Sequence, residues 1–267
     1  MKQDKRAQQP IALVVEAKHV DRAAAERLQR IWAAHQPEQP TEETCGLTLR
    51  LAADGLALLS DGQTLKGDFT AMASRLKQNN LARELLVRAA KIKHSAAAPT
   101  AIDATAGLGE DSLLLAAAGF QVTLYERNWV MYELLHDALQ RAAQQAELAE
   151  LVQRMQLVQQ DSRQALQQLQ TPPDIILLDP MFPSRQKSAL VKKKLQIIQK
   201  LELPCMDEQE LLLAAMAAKP KKIVVKRPAK GPYLADMKPD YALCGRAVRF
   251  DCLIGPYERF QKKLASP

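Results

Sequence analysis

The stretch Thr100-Ala101-Ile102-Asp103-Ala104-Thr105-Ala106-Gly107-Leu108-Gly109-Glu110-Asp111 decides the fold. Its first part is a short apolar run that ends on an acid. Its second part carries two glycines and opens into a helical pattern. Glycine takes backbone conformations that other residues avoid, so the chain can leave a strand, turn sharply and start a helix. Such a turn also leaves main-chain amides open to a ligand. Working outward, short apolar runs occupy residues 121–126, 155–159, 174–178 and 222–226. Helical patterns lie between them at about 110–118, 129–145, 162–169 and 187–217, the last broken near Pro204. Strands that alternate with helices imply a parallel sheet covered on both faces. The tail differs, because only Gly245-Arg246 separates the runs at 241–244 and 247–254. That spacing predicts an antiparallel pair at the sheet edge. The expected class is α/β, with a doubly wound, mostly parallel sheet.

Residues 1–95 read as a separate small α+β module and residues 96–267 as the main domain. In the module, residues 11–16 are a candidate strand, and Asp21 is placed to cap a helix running to about His35. Leu47, Leu49 and Leu51 alternate with polar residues, and Asp54-Gly55 marks a turn, so residues 47–60 read as a hairpin. One helix rich in Arg and Lys is expected over about 69–93. Trp32 reads as packing within the module, and Trp129 has no assignable role.

Glu126 ends the second strand of the main domain, 19 residues after Gly107. An acid at that offset can accept hydrogen bonds from both ribose hydroxyls of an adenosine ligand. A surface glutamate at a strand end is the plain alternative, and the glycine turn beside it favours the ligand. Asp103, Gly107 and Gly109 belong to the same candidate site. The third position of a dinucleotide fingerprint holds Ser112 instead of glycine. That points away from a pyrophosphate, and so away from a nicotinamide-dependent oxidoreductase, toward adenosine without phosphates. Asp161, after the third strand, can cap the next helix. An acid at that corner can also take the adenine amine, and the two roles are compatible.

The fourth strand delivers Asp179-Pro180-Met181-Phe182-Pro183 at its C-terminal end, where open α/β sheets bind their ligands. Two prolines around an aromatic make a stiff loop. The loop suits methylation of an exocyclic base amine, whose lone pair is delocalised into the ring. Asp179 and the Pro180 carbonyl can accept the two amine hydrogens and aim the lone pair. Phe182 can stack on the base, an interaction worth roughly 1–3 kcal/mol. A non-catalytic RNA-binding protein of this fold would have no use for an intact cofactor acid and loop.

Net charge is +7, and residues 184–230 carry twelve Lys and Arg against four acids, so this segment holds the whole excess. Arg185, Lys187, Lys192, Lys226 and Arg227 are candidate contacts to RNA phosphates. A solvated helix face explains part of the Lys192–Lys194 run. Four cysteines without metal-ligand spacing read as reduced thiols. No stretch approaches the ~20 apolar residues of a membrane span, so a cytoplasmic protein is expected.

The motifs at 103–109, Glu126-Arg127, the run from Asp179 to Lys193 and Val224-Val225-Lys226-Arg227-Pro228 together resemble the RsmJ family. Its members are bacterial methyltransferases that modify the N2 amine of guanine 1516 in 16S ribosomal RNA. The match covers about residues 100–230, and the run 179–193 is its most specific part. The resemblance implies a Rossmann-like class I fold, S-adenosyl-L-methionine as cofactor, and 16S ribosomal RNA or the small ribosomal subunit as partner. Cofactor contacts implied are Glu110 and Asp111, Glu126 and Arg127, Asp161 and Ser162, and Asp179. Glu110 and Asp161 depart from the Arg and Ser that the family has there. An amine methyltransferase for another RNA or DNA base is the alternative.

Overall fold

The computed structural model describes residues 11–16, 20–36, 46–92, 98–180, 197–198, 201 and 208–260. These residues form two units that divide between Gly67 and Asp68, with 197–198 and 201 in the first. The sequence suggested a division at 95. Residues 68–92 instead supply Phe69, Met72, Leu86, Val87, Ala89 and Ala90 to the core of the larger unit.

The smaller unit is a four-stranded sheet in the order β1-β2-β3-β4, with a helix α1. Strand β1 (Ala12–Val15) runs parallel to β2 (Leu47–Ala52), and β2, β3 (Gly55–Ser60) and β4 (Gln63–Leu65) form an antiparallel meander. Helix α1 (Arg22–Ala34) starts where expected, with the Asp21 carboxylate accepting from the amides of Ala23 and Ala24. Trp32 Nε1 donates to the Ile11 carbonyl at 2.6 Å, tying α1 to the chain beside β1. The hairpin turn lies one residue earlier than expected. Gly55 already pairs with Ala52, so Ala53 and Asp54 are the loop.

The larger unit is built on a seven-stranded sheet in the order β10-β11-β9-β8-β5-β6-β7. Strands β5 (Thr100–Asp103), β6 (Gln121–Glu126), β7 (Met155–Gln159), β8 (Ile175–Leu178) and β9 (Lys222–Pro228) are parallel. Strands β10 (Tyr241–Cys244) and β11 (Val248–Ile254) form the antiparallel edge. The chain reverses its winding at β5, which opens a crevice at the strand C-termini. Side chains alternate between two cores. Ala101, Ile175, Leu177 and Val224 face one core, and Ile102, Ile176, Leu178, Ile223 and Val225 face the other. The first core is closed by α5 (Glu110–Ala117), α6 (Trp129–Ala143) and α7 (Ala146–Val152), and the second by α8 (Ser162–Gln167) and α9 (Glu208–Ala217). Trp129 is buried in the first turn of α6.

The helix expected over 69–93 is not continuous. It is a 3₁₀ turn (Thr70–Met72) and three short helices, α2 (Ala73–Leu76), α3 (Gln78–Leu81) and α4 (Leu85–Ala90). Lys77 and Glu84 take extended ψ values of 133° and 127°, which breaks the ladder. A two-pronged ion pair from Arg75 to Glu84, at 2.7 and 2.9 Å, folds the segment back on itself. Of the helix expected over 187–217, the part before α9 lies almost wholly outside the described residues. Among the described residues no helix is long and apolar enough to cross a membrane.

Both ends of the β5–β8 pair are latched. At the N-terminal end the Thr100 amide donates to the Asp174 carboxylate (2.8 Å), and the Asp174 amide donates to Thr100 Oγ1 (3.0 Å). At the C-terminal end the Asp179 amide donates to Thr105 Oγ1 at 2.7 Å.

Gly109 has φ +76°, and a Cβ there would stand 2.7 Å from Leu135 Cδ1 and 3.2 Å from Phe69 Cζ. Gly109→Ala therefore combines left-handed strain with overpacking, and about 2 kcal/mol or more of stability is expected to be lost. Urea denaturation of the two proteins measures it, and an unchanged midpoint would contradict the packing described.

Candidate active site

The turn after β5 is held from behind. Asp103 is buried, and its carboxylate accepts from the Thr105 amide (3.1 Å) and the Ser112 hydroxyl (2.6 Å). Burial pushes its carboxyl up to about 6, against the lowering effect of those bonds. Asp103 was expected to touch the cofactor. In the structure it binds the turn to the first turn of α5, through the serine that replaces the third fingerprint glycine.

Gly107 and Gly109 both take positive φ, at 55° and 76°. A Cβ on Gly107 would meet nothing nearer than the Thr105 carbonyl at 4.0 Å, so that face of the turn is open. The turn is fixed to β6 by two bonds. The Ala106 amide donates to the Tyr125 carbonyl (3.2 Å) and the Gly107 amide to Glu126 Oε2 (3.2 Å). Glu126 Oε1 accepts from the Asn128 amide at 2.8 Å. Glu126 is thus a largely buried carboxylate that sets the corner where β5 and β6 end. An acid beside an open glycine turn is the donor-and-acceptor chemistry that an adenosine ribose requires. The residues present fit S-adenosyl-L-methionine.

Arg127 is exposed beyond this corner, and its charge is felt by Asp161. Asp161 caps α8 by accepting from the Arg163 amide at 2.9 Å, and it also pairs with the Arg163 guanidinium at 2.7 Å. Burial raises its carboxyl, but the bonds and charge of Arg163 and the charge of Arg127 outweigh that and leave it below the usual range. The capping role is therefore observed. Ser162 is buried behind it, and Glu110 is exposed on the first turn of α5.

Asp179 follows β8 directly and is about two-fifths exposed, with Pro180 buried behind it. Thr105 was not singled out as a functional residue, yet its side chain holds the Asp179 amide. No local sequence pattern could have signalled this, since the partners lie 74 residues apart. Phe182, Arg185, Lys187 and Lys192 lie outside the described residues.

The two basic residues at the end of β9 depart from expectation. Arg227 has no exposed side chain. It pairs with Glu208 on α9 at 3.0 Å and donates to the Pro232 carbonyl, so it cannot reach a phosphate. Lys226, on the opposite face of β9, lies between two carboxylates, bonded to Asp111 and to Asp179 Oδ2, the latter at 2.9 Å. Burial alone would lower its ammonium, but the charges of Asp179 and Asp111 hold it well above the ordinary lysine range.

An open glycine turn, a ribose-type acid on the neighbouring strand and a carboxylate at the end of β8 share one rim of this sheet. Together they define an S-adenosylmethionine-dependent methyltransferase of the Rossmann-like class I fold. Comparison with known proteins agrees. The SAM_MT family model, described as that of a SAM-dependent methyltransferase, matches residues 32–254. Ribosomal RNA small subunit methyltransferase J of Thioalkalivibrio sulfidiphilus is 41% identical, the match covering 79% of this chain and 87% of that protein. The Acinetobacter baylyi protein of the same name is 38% identical over 85% of this chain and 84% of its own length. The crystal structure of the SAM-dependent methyltransferase NGO1261 from Neisseria gonorrhoeae superposes with a TM-score of 0.70 at 30% identity, covering 92% of this chain and 96% of that one. The chain belongs to the ribosomal RNA small subunit methyltransferase J family.

Proposed function

We propose that this protein methylates the exocyclic N2 amine of a guanine in 16S ribosomal RNA, guanine 1516 being the target that the family resemblance implies. The observation that carries the reading is Asp179, a carboxylate at the C-terminal end of β8 whose backbone is bonded to the cofactor turn through Thr105. Relatives at 38–41% identity that are named for small-subunit ribosomal RNA support the substrate class. When bound, S-adenosyl-L-methionine supplies a methyl group activated by its sulfonium. Gly107, Glu126, Arg127 and Asp161 hold its nucleoside end, and Glu110, Asp111 and Ser162 complete the contacts that the family resemblance implies.

The protein's own task is to prepare a weak nucleophile. Asp179 and the Pro180 carbonyl accept the two amine hydrogens, which turns the nitrogen lone pair toward the methyl group. The carboxylate also offsets positive charge that grows on the nitrogen. Phe182 stacks on the base. A cytoplasmic location, with the small ribosomal subunit or its RNA as partner, belongs to the same reading.

The test is incubation with labelled S-adenosylmethionine and small-subunit RNA or particles, followed by mapping of the label. Label on a guanine N2 is expected. Label on another base amine would move the substrate, and no transfer by protein that binds the cofactor would overturn the reading. In a parallel melting assay, S-adenosylhomocysteine is expected to stabilise the protein and NAD is not. At a hundredfold excess over Kd the gain is about 2.7 kcal/mol.

A further inference from the structure

Lys226 is the member of the site that the reading above does not use. Its place follows from the pleat of β9. Val224 faces the core under α5, so Lys226, two residues on, projects to the same side. Parallel pairing sets Leu178 against Val225, which brings Lys226 level with Asp179. The ammonium therefore arrives between the first turn of α5, which carries Asp111, and the end of β8, which carries Asp179. Arg227, on the other side of the same strand, is bonded to α9.

We propose that Lys226 is a positioning residue, a single ammonium that fixes the cofactor-side carboxylate of Asp111 and the substrate-side carboxylate of Asp179 in one arrangement. The assignment of the two sides rests on the function proposed above. Three carboxylates crowd this corner, because buried Asp103 feels the charges of both Asp111 and Asp179. Arg75 adds positive charge from the side of Asp111 and Glu110. Lys226 bonds Asp111 and Asp179 directly. Without it their like charges would push the side chains apart. Asp179 must be ionised to offset the positive charge that grows on the nitrogen, and correctly turned to accept one amine hydrogen while the Pro180 carbonyl accepts the other, so the ammonium keeps it in the form and direction its task needs. A lysine held for RNA phosphates would be solvated and lack such partners. Here the side chain is only a quarter exposed.

The experiment compares wild type, Lys226→Met and Lys226→Arg. Single-turnover methyl transfer at saturating RNA is measured across pH. RNA affinity is measured across salt, and S-adenosylhomocysteine affinity by calorimetry. For Lys226→Met the rate constant is expected to fall about tenfold or more. The acid limb of its pH–rate profile moves to higher pH, and S-adenosylhomocysteine binds severalfold more weakly. RNA affinity and its salt slope stay at the wild-type values. Lys226→Arg keeps the charge and is expected to recover a large part of the rate. A shallower salt slope with an unchanged saturating rate would overturn the proposal, since that is the signature of a phosphate contact. Should Lys226→Met fail to fold, the uncharged but polar Lys226→Gln decides: a lowered saturating rate with unaltered RNA binding supports positioning, and wild-type behaviour in both rejects it. If wild type binds S-adenosylhomocysteine but methylates no RNA, the substrate reading fails on its own. The calorimetry and the melting curves of the variants then still test the bridge, and unchanged cofactor affinity in folded Lys226→Met rejects it.

Discussion

Asp179→Ala is expected to lower single-turnover methyl transfer by about a hundredfold or more while the protein stays folded. The side chain is partly exposed at the end of β8, so its removal leaves no cavity in either core. The strand end itself is held by backbone, because the bond to Thr105 comes from the Asp179 amide and survives the substitution. What disappears is the acceptor that turns the amine, together with the negative charge that meets developing positive charge. Asp179→Asn retains an amide oxygen and should lose less. Its amide also loses the pairing with Lys226, so it should fall clearly below wild type. The rates are to be compared on the same RNA, with circular dichroism to confirm folding. A folded Asp179→Ala protein that transfers methyl groups at near the wild-type rate would show that the amine is oriented elsewhere.

Glu126→Ala is expected to weaken S-adenosylhomocysteine binding roughly ten- to a hundredfold, the size of one or two lost charge-assisted hydrogen bonds. Two effects add. The ribose loses its acceptor, and the Gly107 amide loses the carboxylate that fixes the turn. Glu126→Gln separates them, since a side-chain oxygen can still accept from one of the two amides while the charge is gone. Calorimetry should place Glu126→Gln between wild type and Glu126→Ala. Equal affinity in all three proteins would assign Glu126 to the fold of the corner alone.

The sheet was legible in the sequence because its strands are apolar runs bounded by turn residues. Strands β6 and β7 have the bounds that the sequence predicted, and the edge pair around Gly245-Arg246 is antiparallel as expected. Helix α7 was missed, since its seven residues are too few to show a period against the long pattern of α6. The segment 69–93 misled for the opposite reason. Its composition favours helix throughout, and its breaks at Lys77 and Glu84 come with the cross-segment pair of Arg75 with Glu84. The places of Glu126 and Asp179 at the C-terminal ends of β6 and β8 were legible because the ends of strands are legible. The partners of Lys226 and Arg227 were not. Lys226 meets a residue 115 positions away and Arg227 one 19 away, on opposite faces of one strand, so two adjacent basic residues that look alike in sequence have different neighbours.

The latches at the two ends of the β5–β8 pair bear on how the site moves. Strand ends usually fray first, because little beyond the last ladder bonds restrains them. Here Thr100 with Asp174 closes one end and Thr105 with Asp179 the other. The central pair therefore lacks a loose terminus from which opening can start. Opening beside Asp179 requires Thr105 to let go, and Thr105 is itself bonded to buried Asp103. Fluctuations large enough to displace the reacting groups are thereby tied to loosening of the sheet as a whole, so the site should keep its alignment until the protein is close to melting.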